Sequence, residues 1–312
     1  MSFSRREEQR GERLLDVLTD ETNGAHLVVS RLGAELISVA RRNSSADWIG
    51  FLNRDNEIAK PEKGWANHAT VMGYYLHRIK NERSLYRGQE IRGGTHSFLR
   101  GKIWHSVESS RDNELVYRIT PDDFSATEYP LKVSLDLTYR MEDERIVVAF
   151  RFKNDEPELT AHVGFGLHPG FAATSFDSFR FEMPSGLYRR HFSPENYLSG
   201  ETKDIQFAGG EMPFERAKLP GSYILEFIDV PNRVFTFSDP PSERTVVMDL
   251  TGVPYLTLWS DGGAFLCVEP CWGLTDHHEQ RAFENKEGIQ KIPVGGELAA
   301  HFSFEPRLGG AG

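Results

Sequence analysis

The stretch Leu131-Lys-Val-Ser-Leu-Asp-Leu-Thr-Tyr-Arg-Met141 decides how the rest of the chain is read. Leu131, Val133, Leu135, Leu137, Tyr139 and Met141 alternate with Lys132, Ser134, Asp136, Thr138 and Arg140. A repeat of two sends every apolar side chain to one face of a strand and every polar one to the other, so the segment reads as a half-buried strand with one wet face. The polar link Met-Glu-Asp-Glu-Arg follows, and then Ile146, Val148, Phe150 and Phe152 recur in step between Arg145 and Lys153. The pair predicts a hairpin.

Comparable short runs lie at Ala25–Ser30, Ala34–Ala40, Trp104–Ser109, Leu115–Thr120, Tyr223–Val230, Val234–Ser238, Thr245–Leu250, Tyr255–Ser260, Phe265–Glu269 and Leu298–Phe304. Many short strands without a sustained period of 3.6 predict an all-β protein of stacked antiparallel sheets. The charged segment Arg5–Leu18, with its Leu14-Leu15 and Val17-Leu18 cluster, assigns residues 1–20 to an N-terminal tail or short helix. Leu308-Gly-Gly-Ala-Gly312 reads as a flexible end. At roughly 150 residues per domain the chain could hold two. Its 28 glycines and 16 prolines are nevertheless spread without a linker, so residues 21–308 read as a single β-sandwich domain.

Lys+Arg number 36 and Asp+Glu 46, a formal charge of −10, which argues against nucleic acid or an anionic membrane surface as the main partner. Hydrophobic residues at 39% with 26% charged place the chain among ordinary globular proteins rather than disordered ones. Cys267 and Cys271, the two cysteines, offer neither a disulfide framework nor a Cys-based zinc site, and a reducing, cytoplasmic setting is expected. The first residues lack the apolar core of a signal peptide, and no run approaches the length of a membrane span.

Three segments carry candidate chemistry. Gly164-Phe-Gly-Leu-His168-Pro-Gly-Phe171 sets a histidine among glycines and beside a proline, a composition that suits an irregular strand end able to present an imidazole. Gly93-Gly-Thr-His96-Ser-Phe-Leu-Arg100 repeats the pattern with an arginine four residues on. Leu266-Cys-Val-Glu269-Pro-Cys-Trp-Gly273 ends an apolar strand in a carboxylate, which is costly to bury without a partner or a task. Asp276-His277-His278-Glu279 holds metal-ligand types, yet adjacent histidines on a strand point to opposite faces, so no metal is expected there.

In this order and spacing the segments resemble the aldose 1-epimerase (galactose mutarotase) family, in particular its bacterial aldose 1-epimerase-like branch. The resemblance spans roughly residues 24–305. Val29-Ser-Arg-Leu-Gly-Ala-Glu-Leu-Ile-Ser38 is similar to the opening strand pair, and Tyr75-Leu-His-Arg78-Ile lies where the family carries Gly-Arg-Ile or Gly-Arg-Leu. Thr95-His-Ser-Phe-Leu-Arg100 is close to His-Gly-Phe-Ala-Arg, and His168-Pro-Gly-Phe171 to His-Pro-Ala-Phe. Val268-Glu-Pro-Cys-Trp-Gly273 with Asp276 is similar to Ile-Glu-Pro-Trp-x-Gly-x-x-Asp, and Phe283-Glu-Asn-Lys-Glu-Gly-Ile to the segment after it.

The resemblance implies a galactose mutarotase-like β-supersandwich and an isomerase that interconverts the α and β anomers of a hexose or hexose phosphate. It implies Glu269 as base and His168 as acid, with His96 holding or protonating the ring oxygen. Arg78 is implied as a donor to sugar hydroxyls, and no cofactor is implied. Trp272 is expected to wall the site, while Trp65, Tyr74, Phe98 and Phe171 also lie near the motifs. The basic stretch Arg78–Lys102, which includes Arg100, could meet a sugar phosphate. The expected partner is a small sugar, phosphorylated or not, bound by a monomer or homodimer. Ser97, the Val71-Met-Gly-Tyr-Tyr75 approach, and the small Gly170 and Ala172 depart from the family pattern. They leave open the alternative of a carbohydrate-binding sandwich without turnover.

Overall fold

The computed structural model describes residues 2–309, so Gly310-Ala311-Gly312, most of the expected flexible end, lie outside the described residues. The deciding hairpin forms as the alternation requires. Strand Val133–Glu142 buries Val133, Leu135, Leu137, Tyr139 and Met141 on one face, and Arg145–Asn154 buries Ile146, Val148, Phe150 and Phe152. The two pair from Val133↔Asn154 to Glu142↔Arg145, with Asp143 turning the chain at φ 53°.

These strands sit inside a nine-stranded antiparallel sheet. An eight-stranded sheet lies against it, in which Tyr255–Trp259, Phe265–Trp272 and Ala161–Ala172 are successive neighbours and Ala69–Tyr74 pairs with the last of them. Phe165 meets Phe152 at 4.8 Å and Phe150 at 5.2 Å between ring centroids, while Phe171 meets Phe304 at 5.9 Å. The facing apolar rows of the two sheets therefore form a shared core. A five-stranded meander, Phe3–Arg10 through Trp48–Gly50, completes the large sheets.

The meander corrects the reading of residues 1–20 as a tail or short helix. Phe3–Arg10 and Arg13–Asp20 form an antiparallel hairpin in register from Phe3↔Asp20 to Arg10↔Arg13. Its inner strand is buried on both faces, with Leu15 and Val17 against Val28 and Ile37 on one side and Leu18 in the main core on the other, beside the buried Asp16 and Asp20. Burial on both faces removes the alternation by which a strand is recognised. The outer strand is an exposed sheet edge, and its charges suit that position: Glu7 pairs with Arg31, and Glu8 with Arg10. Arg31 also binds Asp16 at 2.7 Å, and Asp16 accepts the Tyr117 hydroxyl at 2.9 Å, which ties the meander to the nine-stranded sheet.

Among the described residues no helix is long and apolar enough to cross a membrane. If the first strands belong to the core, Leu18→Ala removes a fully buried side chain and lowers the unfolding free energy by about 2–5 kcal/mol. Urea denaturation checks this, since a loose tail would leave the midpoint unchanged.

Candidate active site

Parity along three adjacent strands builds the site. On Ala161–Ala172 the odd-numbered Val163, Phe165, Leu167 and Phe171 enter the core, and the even-numbered His162, Gly164, Gly166, His168 and Gly170 face the other way. On Phe265–Trp272, Leu266, Val268 and Trp272 face the core, and Glu269 takes the opposite face. On Tyr255–Trp259, Leu256 and Leu258 face the core, which leaves Thr257 and Trp259 on the side of Glu269.

The register then brings the candidate groups together. Gly166 is opposite Cys271 and Gly170 opposite Cys267, so His168 and Glu269 lie midway between these pairs. His168 is also opposite Thr70. The sequence placed His168 at an irregular strand end, whereas it lies inside a 12-residue strand and is 5% exposed. Pairing with the Glu269 strand skips residues 167–169, where Pro169 has no N–H to donate. Gly170 serves a neighbour, since a Cβ there would stand 2.5 Å from the Trp65 ring. Trp65 uses that space to stack on His168 at 5.0 Å.

Glu269 is 1% exposed. Its Oε1 lies 3.2 Å from His168 Nε2, and its Oε2 is hydrogen-bonded to His77 Nε2 at 3.0 Å. His96 packs edge-on to His168 at 5.0 Å and to His77 at 5.6 Å. Burial pushes the His168 imidazole below its ordinary range, opposed by the adjacent Glu269 carboxylate. Burial drives His96 well below the ordinary value, reinforced by repulsion from its cationic neighbours Arg100 and Arg78 and from the nearby His168 and His77 rings.

These groups line a pocket of about 350 Å³, together with Trp65, Trp259, Arg78 and Arg100. Ser193, Asn196 and Thr275 also line it, and the Thr275 hydroxyl holds the Asn196 carbonyl at 2.9 Å. Arg78 and Arg100 are exposed at the pocket, and among the described residues neither guanidinium has a hydrogen-bond or ion-pair partner. Several other cations of the basic stretch are engaged: Lys80 with the His278 carbonyl, Arg87 with the Thr160 carbonyl, Arg92 with Glu90, and Lys102 with Glu128. The stretch is therefore not one continuous patch.

His96, His168, Glu269, Arg78 and Arg100 thus share one pocket. Trp272 does not join them. It stands three residues from Glu269, an odd offset that turns its indole to the opposite face, where it stacks on Phe165 at 5.0 Å with the planes 8° apart. Tyr74, Phe98 and Phe171 likewise belong to the core or pack against it. The tryptophans that wall the pocket are Trp65 and Trp259. The sequence reading missed Trp259 and His77, although Trp259 has the parity of Thr257, the register partner of Glu269. Asp276 is buried against Lys286 and accepts the Lys80 N–H at 2.9 Å, while its own N–H bonds the Arg78 carbonyl at 3.1 Å. It anchors the Arg78 segment. His277 turns to Glu287 and His278 to the Pro194 carbonyl, so the two adjacent rings share no ligand.

The aldose 1-epimerase family model matches residues 16–278. This chain belongs to the aldose 1-epimerase family. Membership assigns it to the isomerases that act on sugars. The fold is shared with a galactose mutarotase related enzyme from Lactobacillus acidophilus, at 20% identity and a TM-score of 0.82 over 98% of both chains. A galactose mutarotase-like protein from Lactobacillus casei ATCC 334 is 20% identical, with a TM-score of 0.80 over 97% of this chain and 100% of that one. The GalM/aldose epimerase homologue from C. elegans is 14% identical, with a TM-score of 0.72 over 99% of this chain and 100% of that one. No curated protein matches the sequence.

For this epimerase-family chain, Trp272→Ala opens a core cavity and lowers the unfolding free energy by about 3–5 kcal/mol, measured in urea. The pocket tryptophan signal from Trp65 and Trp259 persists in the folded variant. NMR titration of His168 is centred below the ordinary imidazole value of about 6.5. Glu269→Gln moves it lower still, because the carboxylate that favours the imidazolium is gone.

Proposed function

We propose that the protein is an aldose 1-epimerase acting on a hexose or hexose phosphate, with Glu269 as base and His168 as acid. Glu269 takes the proton of the anomeric hydroxyl while His168 gives a proton to the ring oxygen, and the bond between that oxygen and the anomeric carbon breaks. The open aldehyde rotates and closes on its other face, returning both protons by the reverse transfers. Both oxygens are bonded to one carbon, so the groups that serve them must be neighbours. The observation that carries the reading is the 3.2 Å approach of His168 Nε2 to the buried Glu269 carboxylate in a pocket also lined by His96.

In this reading His96 holds the ring oxygen, a role supported by its edge-on contact with His168 in the same pocket. Trp65 and Trp259 offer apolar surface to the C–H faces of a sugar. Arg78 and Arg100 supply planar multi-donor groups to hydroxyls, and their lack of carboxylate partners among the described residues favours a substrate that brings its own negative charge. Glu269 is the one carboxylate lining the pocket among the described residues. A glycosidase needs two flanking the bond, which supports epimerisation over hydrolysis.

NMR exchange between anomers of glucose, galactose and their 6-phosphates tests the proposal. Glu269→Gln reduces the rate at least about 100-fold, and Arg100→Ala raises KM more for the phosphorylated sugars than for the free ones. Failure of every sugar in the panel to equilibrate faster than in buffer overturns the assignment.

A further inference from the structure

The Glu269 carboxylate is held from a side that this reaction scheme does not use. His77 Nε2 lies 3.0 Å from Oε2 in hydrogen-bonding geometry, leaving Oε1 on the side of His168 and the pocket. A carboxylate buried to 1% exposure loses most of its contact with water and depends on such donors to keep its charge and orientation. His77 follows the strand Ala69–Tyr74 and adopts φ 51°, a left-handed backbone uncommon for a residue with a side chain. Its carbonyl accepts the N–H of His96 at 2.7 Å, and His96 is itself left-handed at φ 62°. Two histidines therefore hold unfavourable backbone conformations in contact with each other, both turned into one pocket.

We propose that His77 is a positioning residue: by donating from Nε2 to Oε2 it fixes the Glu269 carboxylate so that Oε1 is the proton acceptor. The proposal rests on Glu269 being the base. The ionisable groups that face this pair are His168 and His96 on the pocket side and the thiols of Cys267 and Cys271 on the Glu269 strand. Arg78 and Arg100 lie at the mouth. Neither arginine is paired with Glu269, and the Cys271 thiol donates to the Glu269 backbone carbonyl, so among the described residues His77 is the donor that orients Oε2.

Three substitutions measured on glucose, galactose and their 6-phosphates test this. His77→Ala lowers kcat by about 10- to 100-fold, the equivalent of one charge-assisted hydrogen bond, with little change in KM. His77→Gln keeps an N–H donor at similar reach and recovers most of that loss. His77→Gly relieves the left-handed backbone and so melts later than His77→Ala, although both lose the donor to the buried carboxylate, yet it loses kcat as His77→Ala does. A purely structural role would instead make kcat recover with melting temperature from His77→Ala to His77→Gly. The proposal is overturned if His77→Gly retains wild-type kcat, or if the loss falls on KM alone, which would make His77 a substrate contact. Wild-type activity in Glu269→Gln would instead overturn the base assignment beneath it, so the two failures are distinguishable.

Discussion

A carboxylate buried in the middle of a sheet is the constraint on which this structure turns. Glu269 is surrounded by a strand whose every residue is buried, and an ionised group there is tolerated only with donors at hydrogen-bond distance. His77 and His168 stand on its two sides at 3.0 and 3.2 Å. Those two histidines come from different strand regions, and His96 joins them through the His77 carbonyl. The register of the eight-stranded sheet and the loop that follows Ala69–Tyr74 are thus coupled to one charged side chain.

The same sheet serves two opposed purposes by parity. Its inner face stacks Phe165, Trp272 and their neighbours against the nine-stranded sheet. Its outer face is kept low by Gly166 and Gly170, where a Cβ would meet the Pro270 carbonyl at 2.3 Å or the Trp65 ring at 2.5 Å. Gly170, which weakens the strand as a sequence signal, makes room for Trp65 beside His168. Rigid packing beneath and small residues above together give a fixed floor on which acid and base candidates remain adjacent.

The all-β class was legible because Val133–Glu142 alternates without exception and Arg145–Asn154 does so apart from Val147 and Ala149, and a period of two has one structural meaning. The N-terminal hairpin was not legible, since Leu15, Val17 and Leu18 are buried on both faces and its outer strand is wholly charged or polar apart from Phe3. Glu269, His168 and His96 stood out as polar groups set against apolar or glycine-rich neighbours. Trp272 shows the limit of reading by proximity in sequence: three residues along a strand is the wrong face. Parity contained that answer once the segment was known to be regular to its end.

The sequence by itself determined the strand alternation, the family and the chemical types available to the site, because these depend on local pattern and residue identity. Tertiary structure alone decided that His77 meets Glu269 across 192 positions of chain, that Trp65 and Trp259 are walls while Trp272 is core, and that Arg78 and Arg100 stand exposed at the pocket. Such outcomes depend on strand register and on which distant loop supplies a partner. Both are fixed by packing of the whole fold, which no local period in the sequence encodes.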